Sequence, residues 1–198
     1  ARFGFAASRT WATVMATKIS YERVIKRIIR DVRVELDDEF DKNFVRQAFF
    51  SERWQRARNP ARAGRNVLVD SGALRRSIGG RVSGTKITWE STLPYAAIHN
   101  DGGEIVVTAK MKKFFWYKYY SASKGIGRKK AGSKRQDKNS KMAGEEAEFW
   151  KRLALMKVGS SIKIPRRRFI GPSPEVERIV EDIIDENLED FFEKYNLD

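Results

Sequence analysis

Residues 94–103, PYAAIHNDGG, decide how the rest of this chain is read. Tyr95, two alanines and Ile98 lead into His99, Asn100, Asp101, Gly102 and Gly103, so a short packed segment ends in a turn that favours Gly or Asn. Upstream, residues 70–78, DSGALRRSI, offer Asp70 or Ser71 as the N-cap of a helical turn with Leu74 and Ile78 four residues apart. A strand pair follows. Residues 78–82 and 87–90 form a hairpin in which Ile87 and Trp89 alternate with Thr88 and Glu90 around a Gly84-Thr85 turn. Gly79-Gly80 marks a bulge or a close backbone approach.

Composition limits what this hub can serve. The chain has 198 residues, 41% of them hydrophobic, which is enough for a buried core and too apolar for a solvated tail. No apolar run approaches the ~18 residues of a membrane span, so a soluble protein is expected. Cysteine is absent, which excludes disulfides, thiolate metal sites and a Cys nucleophile, and is compatible with assembly in a reducing cytoplasm. The net charge of +14 attracts polyanions without implying sequence reading.

That charge is unevenly placed. Residues 124–141 carry eight Lys or Arg against one Asp, net +7, whereas residues 175–198 carry ten acids against two bases, net −8. Opposed faces of this kind suit head-to-tail contact between identical subunits, or remain two solvated segments.

Taken in order, residues 1–19 read as an extended N-terminal arm, with Phe3, Phe5 and Trp11 as anchors on a neighbour and Met15 as an alternative start. Ser20 is a credible N-cap, and Val24, Ile28, Val32, Leu36, Phe40, Phe44 and Ala48 then recur every fourth residue. The spacing predicts one helix over residues 21–50, about 45 Å long, longer than a small core covers; a coiled-coil seam is the alternative. Residues 51–66 form a basic loop in which Arg53, Arg56, Arg58, Arg62 and Arg65 surround Trp54, either clasping phosphates or capping a core edge.

After the hub, residues 105–108 are a third strand and residues 110–122, KMKKFFWYKYYSA, an aromatic helix. It is either buried between two surfaces or a stacking and phosphate-binding platform. Residues 125–144 are a Gly-, Ser- and Lys-rich insertion, too long for a plain connection. A helix over 145–156, a strand over 162–165 and an exposed basic turn at Arg166, Arg167 and Arg168 precede Phe169, Ile170 and Gly171, which re-enter the core. Ser173 caps the last helix, with Pro174 at N1, Glu175 and Glu177 favoured by the helix dipole, and an apolar stripe from Val176 to Phe192.

The expected fold is α+β: a small antiparallel sheet against a long N-terminal and a C-terminal helix, forming one domain over 20–198. Residues 109–158 supply an inserted aromatic helix, basic loop and helix. Catalysis has little support. His99 is the one histidine and reads as structural, no metal ligand set or phosphate loop occurs, and the carboxylates lie on solvated helices. No enzyme and no cofactor are expected.

Three segments also resemble a known family. Residues 69–78 (VDSGALRRSI), then Tyr95-Ala96-Ala97-Ile98-His99 with Gly102-Gly103, then Ile164-Pro165-Arg166-Arg167 and Phe169-Ile170-Gly171-Pro172-Ser173 are similar, in order, to the signature of the Mu-like phage virion morphogenesis family. That signature reads D-T/S-G-x-L-x-x-S-I, Y-A-x-I-H-x-x-G and I-P-x-R-x-F-L/I-G-x-S, and the match spreads over residues 40–197. The resemblance implies a structural virion protein that forms an oligomeric ring in the neck of a tailed phage, completing the tail or joining it to the DNA-filled head. Implied partners are other copies of itself, portal-side or connector proteins and tail terminator or tube proteins, with non-specific contact to packaged DNA and no membrane.

Candidate interface residues are Phe3, Phe5, Trp11, Phe114, Phe115, Trp116, Tyr117, Tyr119, Tyr120, Lys124, Arg128, Lys129, Lys130, Lys134 and Arg135. The structural hub comprises Asp70, Gly72, Leu74, Tyr95, His99, Gly102, Gly103, Pro165, Phe169 and Gly171. The basic insertion either lines a DNA channel or docks on an acidic surface, and docking is favoured because a flexible arm can be ordered by its partner. The alternative function is a DNA-binding or DNA-processing protein using the basic and aromatic segments.

Overall fold

The computed structural model describes the backbone of residues 8–124, 126 and 138–195, and the side chains of residues 21–124, 126 and 140–194. Phe3, Phe5, the Trp11 side chain, Arg128, Lys129, Lys130, Lys134 and Arg135 lie outside the described residues, as does most of the basic insertion.

The first helix, α1, spans Ser8–Arg46 and sets the frame. It begins earlier than expected, because residues 8–19 contain neither Gly nor Pro and include the good helix formers Ala12, Met15 and Ala16. Ser20 is therefore interior, not an N-cap, and residues 8–19 are helical, not extended. It also ends sooner. Gln47 and Phe50 take φ values of 57° and 50°, and the chain folds back as β1 (Ala48–Phe49) on β2 (Glu52–Arg53). Side chains hold this reversal. Asn43 Oδ1 accepts from Phe50 N at 2.9 Å, while Gln47 Nε2 donates to Phe44 O at 2.6 Å.

A 3₁₀ turn at Pro60–Arg62 and the short helix α2 (Ala73–Arg76) lead to the predicted hairpin, β3 (Gly79–Ser83) and β4 (Lys86–Glu90). Ser83 pairs with Lys86 around Gly84, whose φ of 61° suits the two-residue turn. Gly79 and Gly80 sit in unbroken register, so there is no bulge; the glycine at 80 serves close approach. A Cβ there would lie 2.8 Å from Arg33 Cγ, and Gly80 N and Trp89 Nε1 both donate to Asp37 Oδ1, at 2.8 and 2.7 Å. The hairpin is thereby pinned to α1.

Next come α3 (Ala96–Asp101), β5 (Gly103–Val106), α4 (Ala109–Lys124), α5 (Lys138–Leu155), β6 (Ser161–Ile164) and α6 (Pro174–Tyr195). The chain is α+β, with three separate antiparallel pairs: β1 with β2, β3 with β4, and β5 with β6. The third predicted strand thus pairs with β6, not with the hairpin. Beyond that ladder, Val107 N donates to Ser160 O at 2.8 Å and Gly159 N to Val107 O at 2.9 Å. The segment holding α4 and α5 leaves and re-enters at one point, the geometry of an inserted unit.

Two apolar clusters form the core. Val32, Leu36, Phe40 and Phe49 pack with Ile87 and Trp89 of the hairpin and with Val176, Ile179 and Ile183 of α6. Phe40 meets Trp89 edge to face at 5.5 Å. Thus α6 does lie beside α1, on the same cluster that the hairpin joins, and is capped by Ser173, whose Oγ accepts from Val176 N at 3.2 Å. The second cluster joins Phe44, Trp54, Leu74, Ala96 and Phe169. The inserted α4 packs on α5 instead of on a sheet: Phe115 stacks on Trp150 at 6.1 Å, and Phe114 meets the same ring edge to face at 5.9 Å.

Candidate functional site

Four chain segments converge at the C-terminal end of α1, and polar side chains knit them together. Asn43, fully buried, donates through Nδ2 to Phe169 O at 3.2 Å while its oxygen holds Phe50. Asn100 Oδ1 accepts from Phe169 N and Ile170 N at 2.9 and 3.2 Å, and Trp54 Nε1 donates to Arg168 O at 2.6 Å. A buried backbone group left without a partner costs about 1–3 kcal/mol, so these side chains let residues 167–170 cross the core as irregular chain. Phe169 then fills the centre against Phe44, ring centroids 5.3 Å apart. Trp54 is consequently core and offers no face to a base.

The hub glycines have specific work. Gly102 and Gly103 adopt φ of 74° and 147°, and a Cβ on Gly102 would stand 2.8 Å from the Arg166 backbone nitrogen. Gly171 has φ of 136° beside the Arg168 guanidinium. At the other end, Gly72 itself is the N-cap residue of α2, with φ of 73° and no side-chain cap bond, in place of Asp70 or Ser71. Asp70 instead pairs with Arg62 at 2.7 Å, and Ser71 Oγ accepts from Ala73 N at 3.3 Å. Leu74 is buried, and α2 is tied to α1 by the Arg75–Asp41 ion pair, whose hydrogen bonds hold the Asp41 carboxyl below its usual range.

His99 and Arg167 form a wall between two clefts. Arg167 N donates to His99 O at 2.8 Å, and the Arg167 guanidinium donates to Gln55 O at 2.8 Å and Arg56 O at 3.4 Å. Contrary to the exposed basic turn expected at Arg166, Arg167 and Arg168, Arg167 is only 8% exposed, because these carbonyls draw its head inward. It forms no ion pair among the described residues. Burial and then the Arg58 charge push its pKa down. His99 stacks edge to face on Tyr95 at 6.1 Å, its Nδ1 is buried without a partner, and burial followed by Arg167 lowers its pKa. Among the described residues the imidazole is packed in place without a side-chain hydrogen bond.

One cleft, of about 360 Å³, opens between Arg62, Asn66, Ser71, Tyr95, His99 and Arg167. The other, of about 450 Å³, has an apolar floor of Phe149, Leu153, Ile164 and Pro165 and a rim of Arg58, Arg152, Lys163 and Arg167. Among the described residues, neither cleft has a nucleophile hydrogen-bonded to a base or a pair of carboxylates. The acids Glu35, Asp38 and Glu39 cluster on α1, where burial raises Glu39 but hydrogen bonds from Arg46 and Lys42 outweigh it and leave its pKa lowered. Those cations already serve it.

The predicted interface residues divide. Phe115 is buried within the α4–α5 packing and unavailable to a neighbour. Trp116 and Tyr119 are half-buried, and Trp116 stacks on Tyr120 at 5.9 Å. Phe114, Tyr117 and Tyr120 remain outside, Tyr117 at 65% exposure, with Lys118 5.6 Å above the Phe114 ring. Sequence reasoning passed over Asn43, Asn100 and Gln47, whose roles leave no periodic signal.

Among the described residues no helix is long and apolar enough to cross a membrane. No curated protein and no solved structure matches the chain. The model of the phage virion morphogenesis family matches residues 7–189, which include the hub, both clefts and the 164–173 crossing. The chain belongs to the phage virion morphogenesis family.

Proposed function

We propose that this protein is a non-enzymatic structural component of a tailed-phage virion, acting as a homo-oligomeric ring in the neck that joins the DNA-filled head to the tail. The observation that carries this reading is the outer face of α4, where Phe114, Tyr117 and Tyr120 stand exposed together on an inserted helix pair. Exposed aromatics in one patch favour a protein partner over solvent. Family membership supports a role in virion assembly, and the acidic α6 with the basic α4 region gives one chain two complementary faces. In this reading portal-side and tail proteins are the other neighbours, packaged DNA is touched only non-specifically, and residues 124–141 dock on acidic protein surface.

A DNA-binding role is the second reading, favoured by the net charge of +14 and the lysines around the α4 aromatics. Size-exclusion chromatography with light scattering, in low and high salt, separates the two. A ring subunit associates with itself without nucleic acid; a monomer that binds duplex DNA and releases it steeply as salt rises would replace this proposal with the second reading.

A further inference from the structure

The wall between the two clefts holds a buried cation with no anion. Arg167 is nine-tenths buried, and its charge is met by two carbonyls; among the described residues it has no carboxylate partner, and Arg58, Arg152 and Lys163 around the same cleft form no ion pair. Glu104, opposite Lys163 in the β5–β6 ladder, closes no salt bridge to it. Next to them the buried Nδ1 of His99 lacks a partner. A buried charge is costly unless paired, and a cleft of about 450 Å³ with an apolar floor and four cations has the shape and charge for an apolar side chain flanked by carboxylates.

The chain carries such a group elsewhere. Near the end of α6, Phe192 is 44% exposed, and Glu189 and Glu193, at i−3 and i+1 from it, are exposed and form no ion pair among the described residues. It cannot reach its own cleft. α6 leaves the core near Phe169 and runs back along α1 until Phe191 meets Tyr21 at 5.1 Å. Its 22 residues place knob and cleft roughly 30 Å apart at 1.5 Å per residue. A knob and socket at opposite ends of one subunit make contact head to tail, the pattern that closes a ring or extends a filament.

We infer that the Arg167–His99 cleft is a carboxylate-receiving socket, and that its occupant is the Glu189–Phe192–Glu193 face of α6 from a second copy of this chain. The inference rests on the ring reading and names the joint within it. The two incoming glutamates offset two of the four positive charges around the cleft while Phe192 covers the Phe149–Leu153 floor. Charge pairing across the rim sets register and partner choice.

Because the chain contains no cysteine, the contact can be trapped directly. Arg152→Cys and Glu189→Cys, both at exposed positions, are introduced into separate full-length chains that are mixed under mild oxidation. The expected product is the mixed disulfide, well above the level from pairing Arg152→Cys with Thr92→Cys. A chain carrying both changes should give a ladder of covalent multimers. Adding Arg58→Glu should lower the yield about 10-fold, and combining it with Glu193→Lys should restore it. Arg167→Met should act similarly if its melting temperature is unchanged; if it misfolds, the exposed Arg58 swap decides. Light scattering on the wild-type chain keeps two failures apart. Self-association without the mixed disulfide overturns the socket and leaves the ring reading standing, with the cleft assigned to another acidic segment, whereas neither self-association nor trapping overturns both.

Discussion

The body around Phe169 and the inserted α4–α5 pair are held by different means. In the body, bonds cross long stretches of chain: Asn43 to Phe169, Trp54 to Arg168, Arg167 to Gln55. In the inserted pair the side-chain bonds are local, such as Trp150 Nε1 to Glu146 at 3.0 Å and Ser121 Oγ to Tyr117 O at 2.9 Å, and the two helices meet through aromatic rings. The body, apart from the His99–Arg167 wall, is thus specified by polar groups paired across the chain, whereas the pair is specified by apolar contact and leaves apolar surface over. On the proposed reading, the body supplies the socket and the inserted pair an outer face for a neighbour.

Phe169 is the residue on which the body depends most. Phe169→Ala should cost about 3–5 kcal/mol and unfold the body cooperatively, read as a shift of the denaturation midpoint. If only a local transition moves, the body is not the cooperative unit. In the inserted pair, Trp150→Ala should remove both Phe114 and Phe115 contacts and melt α4 and α5 while amide exchange at Leu36, Phe44 and Phe169 stays slow; uniform acceleration would show that the two regions unfold together. Gly102→Val should cost roughly 1–3 kcal/mol from its backbone conformation, plus displacement of residue 166, and lower the melting temperature. An unchanged temperature would mean that the turn can relax.

Much of this architecture is legible in residue order, and the exceptions have physical causes. The step-of-four stripe from Val24 to Phe44, the Gly84 turn and the Ser173 cap each act through neighbours in sequence, so spacing reveals them. The ends of α1 do not. Its start lacks a stop signal upstream of Ser20, and its reversal at Gln47 depends on Val67, twenty residues on, whose N donates to Gln47 Oε1. The partner of β5 is equally remote, since nothing local in residues 103–106 names residues 161–164. In the candidate site His99 is visible as the one histidine and Arg167 through the I-P-x-R pattern. The burial of Arg167 is set by carbonyls of Gln55 and Arg56 that no periodicity announces.

Smaller effects sharpen the contrast further. The His99 pKa is lowered by burial and by Arg167, so the unfolded chain takes up the proton first. Stability should therefore begin to fall as pH drops through the unfolded value of about 6.5, and should be fully present above it. Around His99 stand Arg167, Arg62 and Arg65, with Asp70 as the carboxylate lining the same cleft. His99→Gln should flatten the stability profile between about pH 6.5 and 5, above the range where the Asp41 ion pair is lost; an unchanged slope would assign it to other groups. The smallest effect on stability belongs to the outer face. Tyr117→Ser, at the ring that stands free of the Trp116–Tyr120 stack, should change unfolding free energy by no more than about 0.5 kcal/mol yet weaken self-association. A large loss of stability would make that ring part of the fold instead of an interface.

If many copies of this chain make a ring at the joint between head and tail, that ring should be visible in the virion. Cryo-electron microscopy of the intact phage neck measures that directly. A closed ring of identical subunits is expected there, with α6 of each copy seated against the Arg167 cleft of the next. Density for a single copy, or particles that lack the chain altogether, would contradict it.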